Sequence, residues 1–526
     1  MSKNGTYWVV SNGNFILTSA TNLTTFDNLI IQENASLKIS PASCLTVNGT
    51  LINNAGNSGF VIQSASGGDG KLINNSPDVA ATVELFLTGG SSNFHFFVPP
   101  VSTISIGTSS QNVNDNLGIT YFNNDLMSYS ESAAGYDQNN GWQYYDGYTG
   151  TTCFTYAPFS SLVSSKGYNI YFTADDKIRF KGTLNNSPHT FNLSRSSTSL
   201  GWNLVGNPYP CNYDLTGVSS LTTPNNGVDK TVYFYHAGSY VYYNITTTAG
   251  TGGITNIVPP MQGFFVHVNP SGNSLTFPAG SKTSSISPPR SKKANLTEVS
   301  PVEKIKLNLS NSTVSDETIV CLIDNATTGF DGEYDAYKLF GSNPSVPDIY
   351  TELGSIKYAI NSVPGPGSGQ ERIPVVIVIK TPGTYKIDVT EFENLEGVRV
   401  VLRHGSVETI LSKNTSYSFS SAAGTFTDFE IIIGGTVTAV EKTGIGNLKT
   451  WYINNILYIN CPAEIVAGPG NMVIYDIQGK PVYNNTQLYL TPGQTIQLPL
   501  KLPMGVYIMR LNLNNQLFVS KIAAFN

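Results

Sequence analysis

The sequence predicts an all-β protein, with short N-terminal β-solenoid rungs followed by serial β-sandwich domains of jelly-roll and Ig-like character. Three observations predict it. Charged residues make up only 12% of the chain while aromatics make up 11%, a balance that favours strands over helices. The 49 glycines, with abundant Asn, Ser and Thr, supply turns. No long window carries apolar residues at a 3.6-residue period, whereas short alternating segments bounded by Gly, Pro or Asn recur throughout. At 526 residues the chain exceeds what one core can organise, so about three to five domains are expected.

Charge and cysteine usage exclude several functions. The net charge of −6 is small for this length, and no basic patch interleaves with aromatics, so nucleic-acid binding has no electrostatic footprint. No run of about 18 apolar residues offers a membrane span. The five cysteines, Cys44, Cys153, Cys211, Cys321 and Cys461, show no CxxC spacing. They read as small buried residues rather than a disulfide framework or zinc knuckle, with a single Cys153–Cys211 bridge left open. Met1 to Gly5 carry no apolar stretch of a signal peptide. That leaves the expectation of a longer precursor, with a leader or a catalytic domain upstream.

In chain order, residues 7–80 repeat apolar triplets at Leu29-Ile30-Ile31, Leu37-Lys38-Ile39, Leu45-Thr46-Val47 and Phe60-Val61-Ile62, the first three spaced by eight residues. Such spacing predicts stacked solenoid rungs. The texture resembles rungs at the base of large bacterial surface proteins. Residues 81–280 read as a jelly-roll-like sandwich, with eight strands expected between Thr82 and Val268. Residues 281–301, with Pro288-Pro289 and the cluster Arg290-Ser291-Lys292-Lys293, read as an exposed linker. Residues 302–436 form a further sandwich, in which Ile373–Ile379 is apolar enough for a strand buried on both faces.

Residues 441–526 read as a small separate sandwich. Met472 to Asp476 alternate, Gln478-Gly479 suits a tight hairpin, and Gly505–Leu511 makes another strand. The elements "YDIQGKPV", "GVYIMRL" and the terminal "KI", in this order, resemble the type A C-terminal sorting domain of Bacteroidetes type IX secretion cargo. The resemblance assigns the sorting signal to Tyr475, Asp476, Gly479, Gly505, Val506, Tyr507, Lys521 and Ile522. It implies export across the outer membrane to the cell surface or the medium, removal of this domain, and recognition by the type IX translocon and its shuttle protein. Two upstream segments resemble modules found in such cargo. One carries "GYNIYF", "GWNLVGNPYPC" and "PPMQGFFVHV" between Gly167 and Val268. The other, after the linker, carries "SDETIVCLIDNATTGFDGEYDAYKLFG", "YAINSVP" and "RIPVVI".

Candidate chemistry is sparse. Trp142, Tyr144, Tyr145 and Asp146 could form a glycan platform, since aromatic faces stack on the apolar faces of sugars; aromatics alternating along strands are equally the cross-strand pairs of a sandwich core. Trp202 reads as core. Asp324, Asp331, Glu333 and Asp335 could present oxygens to Ca²⁺, but the EF-hand pattern is absent and a solvated acidic loop is expected. The five histidines lack metal-ligand spacing, and His267 reads as a strand residue with a satisfied ring. Ser368 sits among glycines without a following helix, so it makes no nucleophile elbow. Asp175 and Asp176 point to opposite strand faces and cannot flank one glycosidic bond. The expectation is a non-catalytic surface protein with no cofactor and no metal, serving adhesion, gliding or scaffold building. The alternatives are a carbohydrate-binding module and the C-terminal part of a larger secreted hydrolase.

Overall fold

The computed structural model describes residues 2–18, 23–90, 93–105, 126–134, 138–144, 155–156, 159, 161–269, 273–285, 302–367, 369–395, 398–434, 449–461, 467–513 and 516–524. The chain is all-β and divides into two compact units, Met1–Gly435 and Thr436–Asn526.

The first unit begins with a three-sided parallel solenoid. Tyr7–Val10, Leu29–Ile31 and Leu51–Asn53 stack on one side, with Trp8 opposite Leu29 and Leu29 opposite Leu51. Gly13–Leu17, Ala35–Ile39 and Phe60–Ile62 stack on the second. Leu23–Phe26, Cys44–Val47 and Lys71–Ile73 form the third. The eight-residue spacing of the apolar triplets therefore measures one side of a rung. Leu29–Ile31, Ala35–Ile39 and Cys44–Val47 are three faces of the same turn, and stacking partners lie about 22 residues apart. Each side sends alternate apolar residues inward, where Ile31, Leu37, Leu45 and Phe60 are fully buried.

The solenoid does not end at residue 80. Phe60–Ile62 pairs in parallel with Ala80–Leu87, which pairs antiparallel with Asp176–Thr183. One apolar core runs from Val10 to Met261 across the expected 80/81 division. Two five-stranded sheets follow, the first of which sends Phe97, Leu126, Tyr168 and Ile170 into that core. The first orders Phe94–Phe97, Tyr168–Tyr171, Leu126–Tyr129, Trp142–Tyr144 and Thr155–Tyr156. The second orders Trp202–Gly206, Gly263–Val268, Val228–His236, Ser239–Asn244 and Ala249–Gly250. Each of the eight strands expected here overlaps an observed one. The start of the expected linker is instead built in: Lys282–Thr283 pairs with Asn212–Asp214, and the Lys282 ammonium is buried, donating to the Asn186 carbonyl at 3.2 Å and to that of Asn74. Residues 286–301, including the basic cluster, lie outside the described residues.

Residues 303–434 form an eleven-stranded sheet that rolls over its own core. Leu307 and Ile387 near one end share that core with Val400 and Leu402 near the other, and Phe419 lies 5.4 Å from Phe429 across the roll. Gln370–Ile379 is buried on both faces only over Val375–Ile377; Pro374 is exposed. Five strands of this sheet, Ala336–Tyr337, Asp348–Leu353, Ile356–Val363, Val407–Ile410 and Ser416–Ser421, are not among those expected from the sequence.

A second apolar cluster joins the two halves of this unit. Phe96, Trp202, Tyr233, Tyr242 and Phe265 pack with Ile319, Leu339 and Ile360. Hydrogen bonds clasp the loop 331–342 onto the hairpin Val228–Asn244. The Tyr242 hydroxyl donates to the Leu339 carbonyl at 2.8 Å and accepts from the Leu339 N–H at 3.0 Å. Lys230 N–H donates to the Gly332 carbonyl, the Thr231 hydroxyl to that of Asp335, and the Tyr337 N–H to the Tyr233 hydroxyl. Gly341 crosses the hairpin tip so closely that a Cβ there would lie 2.0 Å from the Gly238 carbonyl oxygen. Tyr242→Phe strands both buried backbone groups of Leu339, so it should cost about 1–3 kcal/mol of stability. Urea titration of the wild type and variant measures this, and a loss below about 0.3 kcal/mol would show that the clasp does not hold the halves together.

Candidate functional site

The second unit builds its site from period-2 alternation. Lys449–Ile453, Ile456–Asn460 and Thr495–Pro499 form one sheet, and Pro481–Leu490, Gly468–Asp476, Gly505–Leu513 and Gln516–Ala524 the other. Met472, Ile474, Met509 and Leu511 point inward with Leu457 and Ile459, so residues between them face outward. The sorting residues therefore separate by role. Tyr507 and Ile522 are opposite each other in the core, the Tyr507 hydroxyl donating to the Pro503 carbonyl at 2.9 Å.

Asp476 and Gly479 close a hairpin. The Asp476 carboxylate accepts from the N–H groups of Gln478 and Lys480, each at 2.9 Å, and Gly479 holds a φ of +80°. The loop is Ile477-Gln478-Gly479 rather than a two-residue turn, with the left-handed glycine as its third residue. Gly505 and Val506 open the next strand opposite Ala524 and Ala523.

On the outward face, Tyr475, Ile508 and Lys521 align across three strands, and Val473, Arg510 and Val519 align beside them. Arg510, Lys521, Val506 and Val519 are exposed. The face is half apolar and carries two cations. Ile508, Arg510 and Val519 were not singled out in the sequence, although strand register alone places them beside Tyr475 and Lys521.

The expected glycan patch of the first unit is not an exposed platform at Trp142. Its ring is 8% exposed and packs against Tyr129, Phe96 and Phe265 at centroid distances of 5.2, 5.5 and 5.8 Å. Strand alternation puts it into the joint between the sheets. Tyr144 pairs with Met127 across the strand, while Tyr145 and Asp146 lie outside the described residues. Trp202 is core, edge-on to Tyr233 at 4.8 Å.

The acidic loop is a structural joint. Asp335 is fully buried and its carboxylate accepts from the N–H groups of Asp331 and Ser362, both at 2.7 Å. Glu333 accepts from the Asn225 N–H at 2.6 Å. Among the described residues no three His, Cys, Asp or Glu side chains gather as a metal site. Sequence reasoning missed the buried pairs. His267 Nδ1 lies 2.6 Å from Asp229 and its Nε2 3.3 Å from Arg195. Lys338 pairs with Asp316, and Lys304 and Lys306 with Glu391. Such partners come from distant strands and carry no local spacing. Cys44, Cys211, Cys321 and Cys461 are buried free thiols; Cys153 lies outside the described residues. Burial pushes the Cys211 and Cys321 thiols up to about 12, far from thiolate reactivity at neutral pH.

A family described as a domain of unknown function (DUF8693) matches residues 4–432. The chain belongs to that family. A second description, secretion system C-terminal sorting domain, matches residues 453–524. A search of curated proteins finds no match. This DUF8693 protein is therefore a type IX secretion cargo, whose tail marks it for export across the outer membrane to the cell surface or extracellular space. No helix among the described residues is long and apolar enough to cross a membrane.

The buried Asp335 gives the body a pH dependence. Burial outweighs its two N–H donors and pushes its carboxyl from 3.8 up to about 8. Between these values the folded state holds a proton that the unfolded state releases, so this group's contribution to stability falls as pH rises from about 4 to 8 and is level above that. Denaturant midpoints of the wild type should show this slope, and Asp335→Asn should flatten it. An unchanged slope in the variant would mean that Asp335 is ionised throughout.

Proposed function

We propose that the protein is a non-catalytic surface component of the adhesive or structural kind, delivered by its tail. The secretion machinery holds that tail on the outward face carrying Tyr475, Val506, Ile508, Arg510, Val519 and Lys521. One observation carries the reading of the tail: two cations and a row of apolar side chains lie together and uncovered on one sheet face of a small, self-contained sandwich. A soluble domain gains nothing from exposing such a row, and a partner surface that is apolar and acidic would cover it.

The body's architecture supports the structural role. Several of its buried charged side chains form ion pairs that tie strands together, as with Lys338 and Asp316 or Lys304 and Glu391. The solenoid, the two aromatic sheets and the rolled sheet belong to one compact unit, which suits a protein that bears load or spaces a surface away from the cell. Adhesion and gliding both draw on that property.

Arg510→Glu with Lys521→Glu reverses the charge of the face and leaves the core intact. Each substitution at an exposed site should change stability by no more than about 0.5 kcal/mol. Surface delivery, read by whole-cell proteolysis and fractionation, should fall at least fivefold with accumulation in the periplasm. Removing residues 513–526 takes away the edge strand and should stop delivery altogether. Normal surface display of the truncated chain would refute the role of the tail, and normal display of the double variant alone would move recognition to another face.

A further inference from the structure

A cleft of about 440 Å³ opens in the first unit between the sheet that holds Tyr168–Tyr171 and the clasped hairpin. Its size falls in the range of small-molecule sites. Strand register builds the floor: Asn169 lies directly opposite Phe96 on one side and Met127 on the other, so all three side chains share one face. Phe94 and Trp142 extend the wall. Tyr235 and Tyr240 of the hairpin and the segment Phe340-Gly341-Ser342 form the opposite side.

Three properties restrict what fits. No charged side chain lines the cleft among the described residues; the Lys357 ammonium lies 5.2 Å from the Phe340 ring at its rim, so the interior offers no charge to compensate a phosphate, a carboxylate or an ammonium. The lining is mostly aromatic, with Phe340 at 37% exposure offering ring surface at the mouth. Finally, Asn169 is only 4% exposed, and its Oδ1 has no hydrogen-bond partner among the described residues. A buried acceptor without a donor costs about 1–3 kcal/mol, and native structures retain few of them. A purely apolar occupant would leave that cost in place. An occupant presenting a hydroxyl to the floor would remove it.

We infer that this cleft binds a neutral sugar residue, whose apolar ring face lies on the aromatic wall while a turn of the buried Asn169 amide toward the cleft lets its Oδ1 accept from one hydroxyl. Hydroxyls at the mouth suit the same ligand. The Tyr235 and Ser342 hydroxyl oxygens lie 2.7 Å apart there, and one bound to the other still has capacity to pair with a sugar hydroxyl. The site differs from a platform at Trp142 to Asp146: it is a cleft, and its polar anchor is on the strand Tyr168–Tyr171. It is also independent of the export reading, since it belongs to the body and requires nothing of the tail.

Saturation-transfer NMR on the full chain tests it, with glucose, galactose, mannose and cellobiose as probes, phenol as an aromatic control and glucose 6-sulfate as an anionic one. At least one neutral sugar should receive saturation, strongest on the C–H groups of one ring face, and glucose 6-sulfate should bind more weakly. Asn169→Leu should lower that sugar's affinity about tenfold, and its thermal midpoint should be equal to or above that of the wild type, because the unpaired acceptor is gone. Phe340→Ala, at a partly exposed position, should lower affinity at least fivefold in a protein of unchanged circular dichroism. Should Asn169→Leu fail to fold, Phe340→Ala decides the matter. Saturation of phenol alone, sugar binding untouched by Phe340→Ala, or no transfer to any sugar would each overturn the assignment.

Discussion

The body of this protein depends on a loop clasped onto a hairpin. Residues 331–342 leave the rolled sheet, cross the tyrosine-rich hairpin Val228–Asn244, and exchange backbone and side-chain hydrogen bonds with it along their length. The bonds of Thr231 and Tyr242 are buried, so they form away from competing water, and each broken one strands a desolvated group. This explains why the hairpin uses tyrosine where phenylalanine would fill the same volume. Tyr233 and Tyr242 bury their rings in the joint and spend their hydroxyls on the backbone of the loop. Without the clasp, one side would present an aromatic face to solvent and the other a largely aliphatic one.

The same constraint accounts for the acidic residues that resemble an ion site in the sequence. Asp331, Glu333 and Asp335 alternate because the loop uses them in turn. Asp331 caps the N–H of Glu333, Glu333 reaches back to Asn225, and Asp335 holds the N–H groups of Asp331 and Ser362. Local spacing shows three carboxylates in a row and cannot show that their partners lie about 100 residues upstream or 27 downstream. The His267–Asp229 pair was illegible for the same reason.

Periodicity, by contrast, was legible wherever one face is apolar. Strands such as Gly263–Val268 and Ile305–Leu309 announce themselves by composition and alternation, and the structure places strands there. The solenoid shows how a correct signal can be misassigned. Eight residues separate the apolar triplets, and a chain with short sides and Asn or Gly corners produces that spacing within one turn as readily as between turns. Only the pairing of Trp8 with Leu29, and of Leu29 with Leu51, fixes the repeat at the full rung. Ser416–Ser421 gave a weaker signal: Tyr417 and Phe419 alternate with its serines, but they are only two apolar residues in a six-residue strand.

The tail obeys the same rule with a different consequence. One residue's shift in register would exchange Tyr507 and Ile522 for Val506 and Lys521, turning the core outward. The motif therefore mixes two kinds of constraint in adjacent positions: alternate residues hold the sandwich together, and those between them are free to meet a partner. Among the described residues, the buried core of the tail lies between Leu457 and Ala524, while the body's clusters draw on residues up to Ile433. Each unit buries its own apolar side chains, so the body's cores are complete without the tail. That is what a chain needs if its address is to be read during export and then dispensed with.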